Sequence, residues 1–198
     1  MRYQKPLIAG AVTAAVLVTI AAAAPAPEHH RPRPGGDPAR LVDRTPGLIR
    51  PVSLTVDGGL GDRRARQEVR LAQLLYTFWH TGDTGYLKAA VSPEYKDNTL
   101  PAGRPQGRIG KEVASKNFRT AVPDLSCELS DLLITGDKIT ARLVFRGHFT
   151  GTFNGVRGKG QKIEFNAIDI QHVGKDKISE DWHIEDNTAL LAQMGITG

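Results

Sequence analysis

The sequence predicts an α+β fold, helices first and an antiparallel sheet after them, and three observations carry that prediction. Apolar residues recur at helical spacing in the first part of the folded region. Four later runs are rich in β-branched and aromatic residues and are separated by turn signals. The 198 residues, 40% hydrophobic and 24% charged, have the composition of one soluble globular domain with additional segments. Helices packed on one face of such a sheet bury both partners, and a sheet that curls around them leaves a one-ended pocket.

The chain opens with segments the fold does not need. Arg2 and Lys5 form a basic start, residues 7–20 are apolar, and Ala21 to Ala24 are small. That order predicts a signal peptide over 1–24 and a secreted or periplasmic protein, free of the membrane once cleaved. The alternative is a retained anchor, for which the apolar run is marginal against the ~20 residues a span needs. Residues 25–61 are rich in Pro, Gly and Arg and predict a poorly ordered linker. Within it Val52, Leu54 and Val56 alternate with Ser53 and Thr55, the pattern of an edge strand. His29 and His30 bring no further ligands at fixed spacing and predict no metal site.

The domain is expected over 62–198. Leu71, Leu74, Leu75, Phe78 and Trp79 form one apolar helical stripe, which Gly82 ends. Asp83 or Thr84 caps a short second helix through Tyr86, Leu87 and Ala90. A third helical pattern runs from Ile109 through Val113 to Phe118 and stops before Pro123. Strands are expected over 127–135, 138–150, 161–173 and 177–186, with turns at Gly136, Asn154-Gly155 and Gly174. In the last strand Ile178, Trp182, Ile184 and Asp186 share one parity, read as the buried face. A closing helical turn or two carries Leu190, Leu191 and Met194.

Several function classes drop out. The net charge of +5 is partly carried by the first segment, and no nucleic-acid motif accompanies the cluster of Arg63, Arg64, Arg66 and Arg70. Cys127 is the single cysteine, so no intramolecular disulfide forms and the residue reads as a small buried hydrophobe. His80, His148, His172 and His183 lack ligand spacing, and no phosphate-binding or dinucleotide fingerprint is present.

A series of motifs in order then resembles a known family. Tyr95-Lys96-Asp97-Asn98 and Gly103 to Gly107 are followed by Val122-Pro123-Asp124-Leu125 and by Gly147-His148-Phe149. Gly174-Lys175-Asp176-Lys177-Ile178 leads to Glu180, Trp182 and Asp186, and Leu190-Leu191 with Gln193 and Gly195 closes the series. The stretch from about Leu71 to Gly195 is similar to the SnoaL-like polyketide cyclases of the nuclear transport factor 2-like superfamily. The resemblance implies a cone-shaped barrel, a curved and mainly antiparallel sheet wrapped around N-terminal helices. It also implies a homodimer, a small hydrophobic ligand, and ring closure by an aldol reaction without metal or cofactor. Asp186, His172 and His148 take the places of the family's catalytic and pocket residues. Asn98 and Asp181 stand where the family often has histidine, and Asn98 can orient a substrate oxygen but cannot shuttle protons.

The residues themselves leave alternatives open. Asp186 precedes the closing helix, where it either caps that helix or points inward by strand parity. His172 and His148 are catalysts or satisfied rim residues. Trp79, Tyr95 and Trp182 wall a pocket or pack the core, and Asp169 orients a histidine or stabilises the fold. Three functions follow: a cyclase or isomerase acting on a hydrophobic carbonyl compound, a non-catalytic binding module, and an interaction scaffold.

Overall fold

The computed structural model describes residues 37–196; the expected signal peptide and the first part of the linker lie outside the described residues. Among the described residues, four helices and eight strands follow in the order expected, with additions. Helix α1 (Asp62–Thr81) buries its apolar stripe and ends at Gly82, whose φ of 79° is a left-handed conformation that glycine adopts without penalty. Asp83 caps α2 (Thr84–Ala90) by accepting a hydrogen bond from the Gly85 amide. Helix α3 (Arg108–Ala121) and helix α4 (Asn187–Met194) complete the helical layer.

The main sheet has six strands. β1 (Ser53–Val56) is an edge strand, as its alternation predicts, and pairs parallel with β3 (Ser126–Thr135). The strands β4 (Lys138–Phe149), β7 (Gln161–Val173) and β8 (Ile178–Glu185) extend the sheet antiparallel from β3. At the other edge β2 (Val91–Asp97), which sequence reasoning missed, pairs parallel with β8. Its register slips between Val91 and Lys96, and a Pro within it hides it from a strand search. A two-stranded hairpin, β5 (Thr152–Phe153) and β6 (Val156–Arg157), folds out of the β4–β7 connection. The sheet order is β1-β3-β4-β7-β8-β2, mainly antiparallel and not closed on itself, consistent with the expected cone.

Residues 37–61 depart from the linker reading. A short 3₁₀ helix (Pro38–Leu41) is capped by Asp37, and Leu41 and Leu48 join the core. The buried side chain of Gln73 on α1 holds this segment from beneath: its Nε2 donates to the Asp43 and Ile49 carbonyls, and its Oε1 accepts from the Asp43 amide. Thr77 Oγ1 accepts from the Ile49 amide. Three of the four clustered arginines are spent inside the molecule as well. Arg66 donates to the Arg40 carbonyl, Arg70 pairs with Asp43, and Arg64 reaches the Val173 and Gly174 carbonyls at the β7–β8 turn. Composition shows the prolines and arginines; it does not show that two leucines and four backbone groups find partners on a helix.

The two faces of the sheet differ. On β7 the inward set is Ile163, Phe165, Ala167, Asp169, Gln171 and Val173. The outer face exposes Leu133, Ile168, Ile170, Trp182 and Ile184. For β8 this inverts the parity expected. Ile178 is buried, but the β7–β8 register slips by a residue between His172 and Val173, so Asp181 and His183 point inward while Trp182 and Ile184 point out. A bulge passes one extra residue and turns every later side chain to the opposite face.

Candidate functional site

Between the helices and the inner sheet face lies a cavity of about 280 Å³. One wall is aromatic. Phe145 and Phe165 are directly paired across β4 and β7 and stack with centroids 5.1 Å apart. Trp79 meets Phe145 edge-on at 6.2 Å, and Phe118 meets Phe165 at 5.6 Å. Tilted and offset rings of this kind pack without leaving polar edges to satisfy.

The floor is polar, built from residues that face one another across β7 and β8: Asp169 is paired with His183, and Gln171 with Asp181. From α3, Lys111 enters the same region on the face that also carries Ala114 and Phe118. Its Nζ donates to Asp181 Oδ2 at 2.6 Å, both side chains being almost fully buried, and lies 4.9 Å from the Tyr95 ring centroid. Gln171 Nε2 donates to Asp169 Oδ2 at 3.3 Å and approaches Asp181 Oδ2 at 3.4 Å. His183 is held at both nitrogens, Nδ1 by Glu185 at 2.7 Å and Nε2 by Asp97 at 3.2 Å.

Electrostatics separate the members of this network. Burial pushes the Asp169 carboxyl up to about 6, with the Lys111 charge pulling in the other direction. Burial alone would lower the His183 imidazole; the hydrogen bond and charge of Glu185 outweigh it and raise the group to about 9. Burial would likewise raise Glu185, but its bond to His183 brings it below the ordinary carboxylate range. At neutral pH the site thus holds an ionised but weakly stabilised Asp169 carboxylate beside a lysine ammonium and an imidazolium. Asp97, Asp181 and His183 also lie close enough together to share a cation, but Lys111 already neutralises Asp181 within that cluster.

The sequence-derived candidates divide. Trp79 and Asp169 line the cavity, and Tyr95 sits beside Lys111 next to it. Asp186 does not reach it: exposed, it accepts from the Ala189 amide at 2.9 Å as the N-cap of α4. His172, on the outer face, bonds Ser179 and Asp137, and His148 lies at the surface with Nδ1 2.7 Å from Asp124. Asn98 bonds Glu180, and Trp182 is on the outer face. Sequence reasoning missed Lys111, His183, Glu185 and Arg104. One signal exists, for His183 and Glu185. Asp169 and Gln171, and then Asp181, His183 and Glu185, recur at period two, each set alternating with apolar residues. Polar residues facing one another on adjacent strands mark a polar patch, whichever face is buried.

A family model described as SnoaL-like polyketide cyclase matches residues 69–194. Among solved structures, the chain is similar to a protein from Bacillus cereus ATCC 10987 provisionally assigned as a polyketide cyclase. The TM-score is 0.72, with 42% identity, covering 79% of this chain and 99% of that one. That coverage is more than residues 62–198 supply by themselves, so the match extends into the segment before α1. The chain is also similar to TsrD from Streptomyces laurentii (TM-score 0.61, 27% identity, 66% of this chain and 96% of that one). IdmH from Streptomyces antibioticus, again provisionally assigned as a polyketide cyclase, follows at TM-score 0.58 and 28% identity, with 64% of this chain and 96% of that one covered. No curated protein matches the chain.

Proposed function

The chain belongs to the SnoaL-like polyketide cyclase family, and on that premise we propose that it is a cyclase or isomerase acting on a hydrophobic carbonyl compound by acid–base chemistry, with Asp169 as the base. The observation that carries the reading is the buried Asp169 carboxyl on the cavity floor, pushed up to about 6 by burial, with the Lys111 ammonium near enough to feel its charge.

The chemistry follows from those neighbours. The Asp169 carboxylate removes the proton α to a carbonyl. Negative charge develops on the carbonyl oxygen and is met by Lys111, whose ammonium has three donors and, among the described residues, one hydrogen-bond partner, Asp181. His183, with both nitrogens engaged, contributes charge and holds the floor. In a ring closure the enolate carbon forms a bond to a second carbonyl carbon of the same molecule. The new alkoxide takes back the proton that Asp169 removed, which regenerates the carboxylate. In an isomerisation the same proton returns to a different carbon.

The N-terminal pattern of basic, apolar and small residues supports an exported setting for this reaction. The apolar residues of the outer sheet face support a homodimer.

The test uses 2-tetralone, an apolar bicyclic ketone, in D₂O, with loss of its α-protons followed by NMR. Wild-type protein should speed exchange, with a rate rising through about pH 6 as Asp169 ionises. Asp169→Asn should slow it by about 10²-fold or more, and Asp186→Asn should not. Equal rates in wild type and Asp169→Asn would reject the assignment. A protein that binds the ketone without exchanging it would be a binding module.

A further inference from the structure

A second hollow, of about 640 Å³, opens outside the first between α3, residues 101–104 and the β5–β6 hairpin. The two are contiguous: Pro101, Arg104, Ala114, Phe118 and Phe153 line both. Their characters differ. The inner chamber is walled by aromatic rings, whereas the outer hollow adds the polar side chains of Asn117, Thr120, Thr152 and Asn154.

Arg104 is the one charged side chain common to both linings. The cations deeper in are already matched, Lys111 by Asp181 and His183 by Glu185 and Asp97. Among the described residues the Arg104 guanidinium makes no hydrogen bond and no ion pair. Glu185 is the anion near enough to feel its charge, and the Oε1 of that carboxylate is taken by His183 at 2.7 Å. The backbone that carries Arg104 is held in place. Its amide donates to the Pro101 carbonyl, and Gln106 bonds both the amide and the carbonyl of Asp97. A half-buried guanidinium without a partner, on an anchored turn at the neck of an apolar chamber, is built to receive a planar anion.

We propose that Arg104 determines specificity, and that the compound bound is an amphiphilic acid: an apolar ring body enters the inner chamber while an anionic group, such as a carboxylate, stays at the neck on Arg104. This rests on the reading of the inner chamber as the place where the carbonyl portion binds. It adds a polarity to the substrate: the reacting carbonyl leads and the acid trails.

The test compares two fluorescent probes that share one apolar skeleton, 8-anilinonaphthalene-1-sulfonate and the uncharged N-phenyl-1-naphthylamine, titrated into the full chain. Both should be displaced by 2-tetralone. Wild type should bind the sulfonated probe about tenfold more tightly, the ratio expected of a charge-assisted contact at a half-open site. Arg104→Gln should erase that ratio and leave the affinity for the neutral probe unchanged, while Arg104→Lys should keep part of it. Arg157→Gln, exposed on β6, should keep all of it. No preference in wild type, a preference that survives Arg104→Gln, or an equal loss in Arg157→Gln would each overturn the proposal. The readout is binding, so the two readings fail separately. A tenfold ratio without proton exchange would sink the acid–base reading alone, and exchange without the ratio would sink this one alone.

Discussion

A carboxyl ordinarily loses its proton near 3.8, and at Asp169 burial on the cavity floor moves that point to about 6. The shift sets the residue's use: ionised at neutral pH, yet basic enough to take a proton in a transition state. Lys111 is its counterpart and is held by a different force. With Asp181 wholly buried beneath it, the pair repays its desolvation through short geometry and leaves two ammonium donors for a ligand. Lys111→Met should therefore lower the unfolding free energy by about 3–5 kcal/mol, because Asp181 is left as an uncompensated buried charge. Lys111→Met with Asp181→Leu should recover most of that loss in urea denaturation. If the single variant unfolds at the wild-type midpoint, the pair is not the buried contact described. A lysine on a helix reads in sequence as solvent-facing, and nothing local marks Lys111 as different. Asp169 was legible as a candidate because it stands between Ile168 and Ile170.

At the scale of elements, α1 does three tasks with one sequence. Its stripe of Leu71, Leu75 and Phe78 faces the core, and Arg64 secures the β7–β8 turn. Gln73 and Thr77 hold residues 43–49 in place of a second apolar layer. Gln73→Leu would strip the partners from one amide and two carbonyls, at a cost of about 2–3 kcal/mol. Hydrogen exchange should then show the Asp43 amide losing protection while those of β4 and β7 keep theirs. Protection unchanged at Asp43 would mean the segment is secured elsewhere. The hairpin at the cavity mouth depends on a close approach. A Cβ at Gly151 would run into the Thr120 carbonyl of α3, so glycine lets β5 lie against that helix and wall the outer hollow. The period-two and helical patterns made the four long strands and all four helices readable. Edge strand β2 was not, because its pairing depends on β8, some eighty residues away.

For the whole molecule, the buried titratable groups set how stability follows pH. Asp169 holds its proton more tightly folded than unfolded, so the fold loses up to about 3 kcal/mol as pH rises from about 4 to about 6. His183 gains its partner on folding, its pKa moving from 6.5 to about 9. Its contribution is complete below about pH 6.5 and fades as pH climbs through about 9. Both signs agree, and Glu185, lowered by its bond to His183, opposes them only below about pH 5, so the thermal midpoint should fall from about pH 5 toward about pH 9. His183→Gln should flatten the upper half of that curve, and a midpoint that climbs over the same range would contradict these assignments.

The sequence by itself determined the order of the helices and long strands, the α+β class and the family, because helical and strand periodicities and an ordered motif series are local properties of the chain. Only the tertiary structure decided which residues meet in the cavity. One slipped residue in β8 sent Trp182 and Ile184 outward and brought His183 and Glu185 in, and the turn into α4 made Asp186 a cap. The direction of a side chain after a bulge is set by the register with the facing strand, here β7 across a short turn, and the alternation within β8 alone does not contain that information.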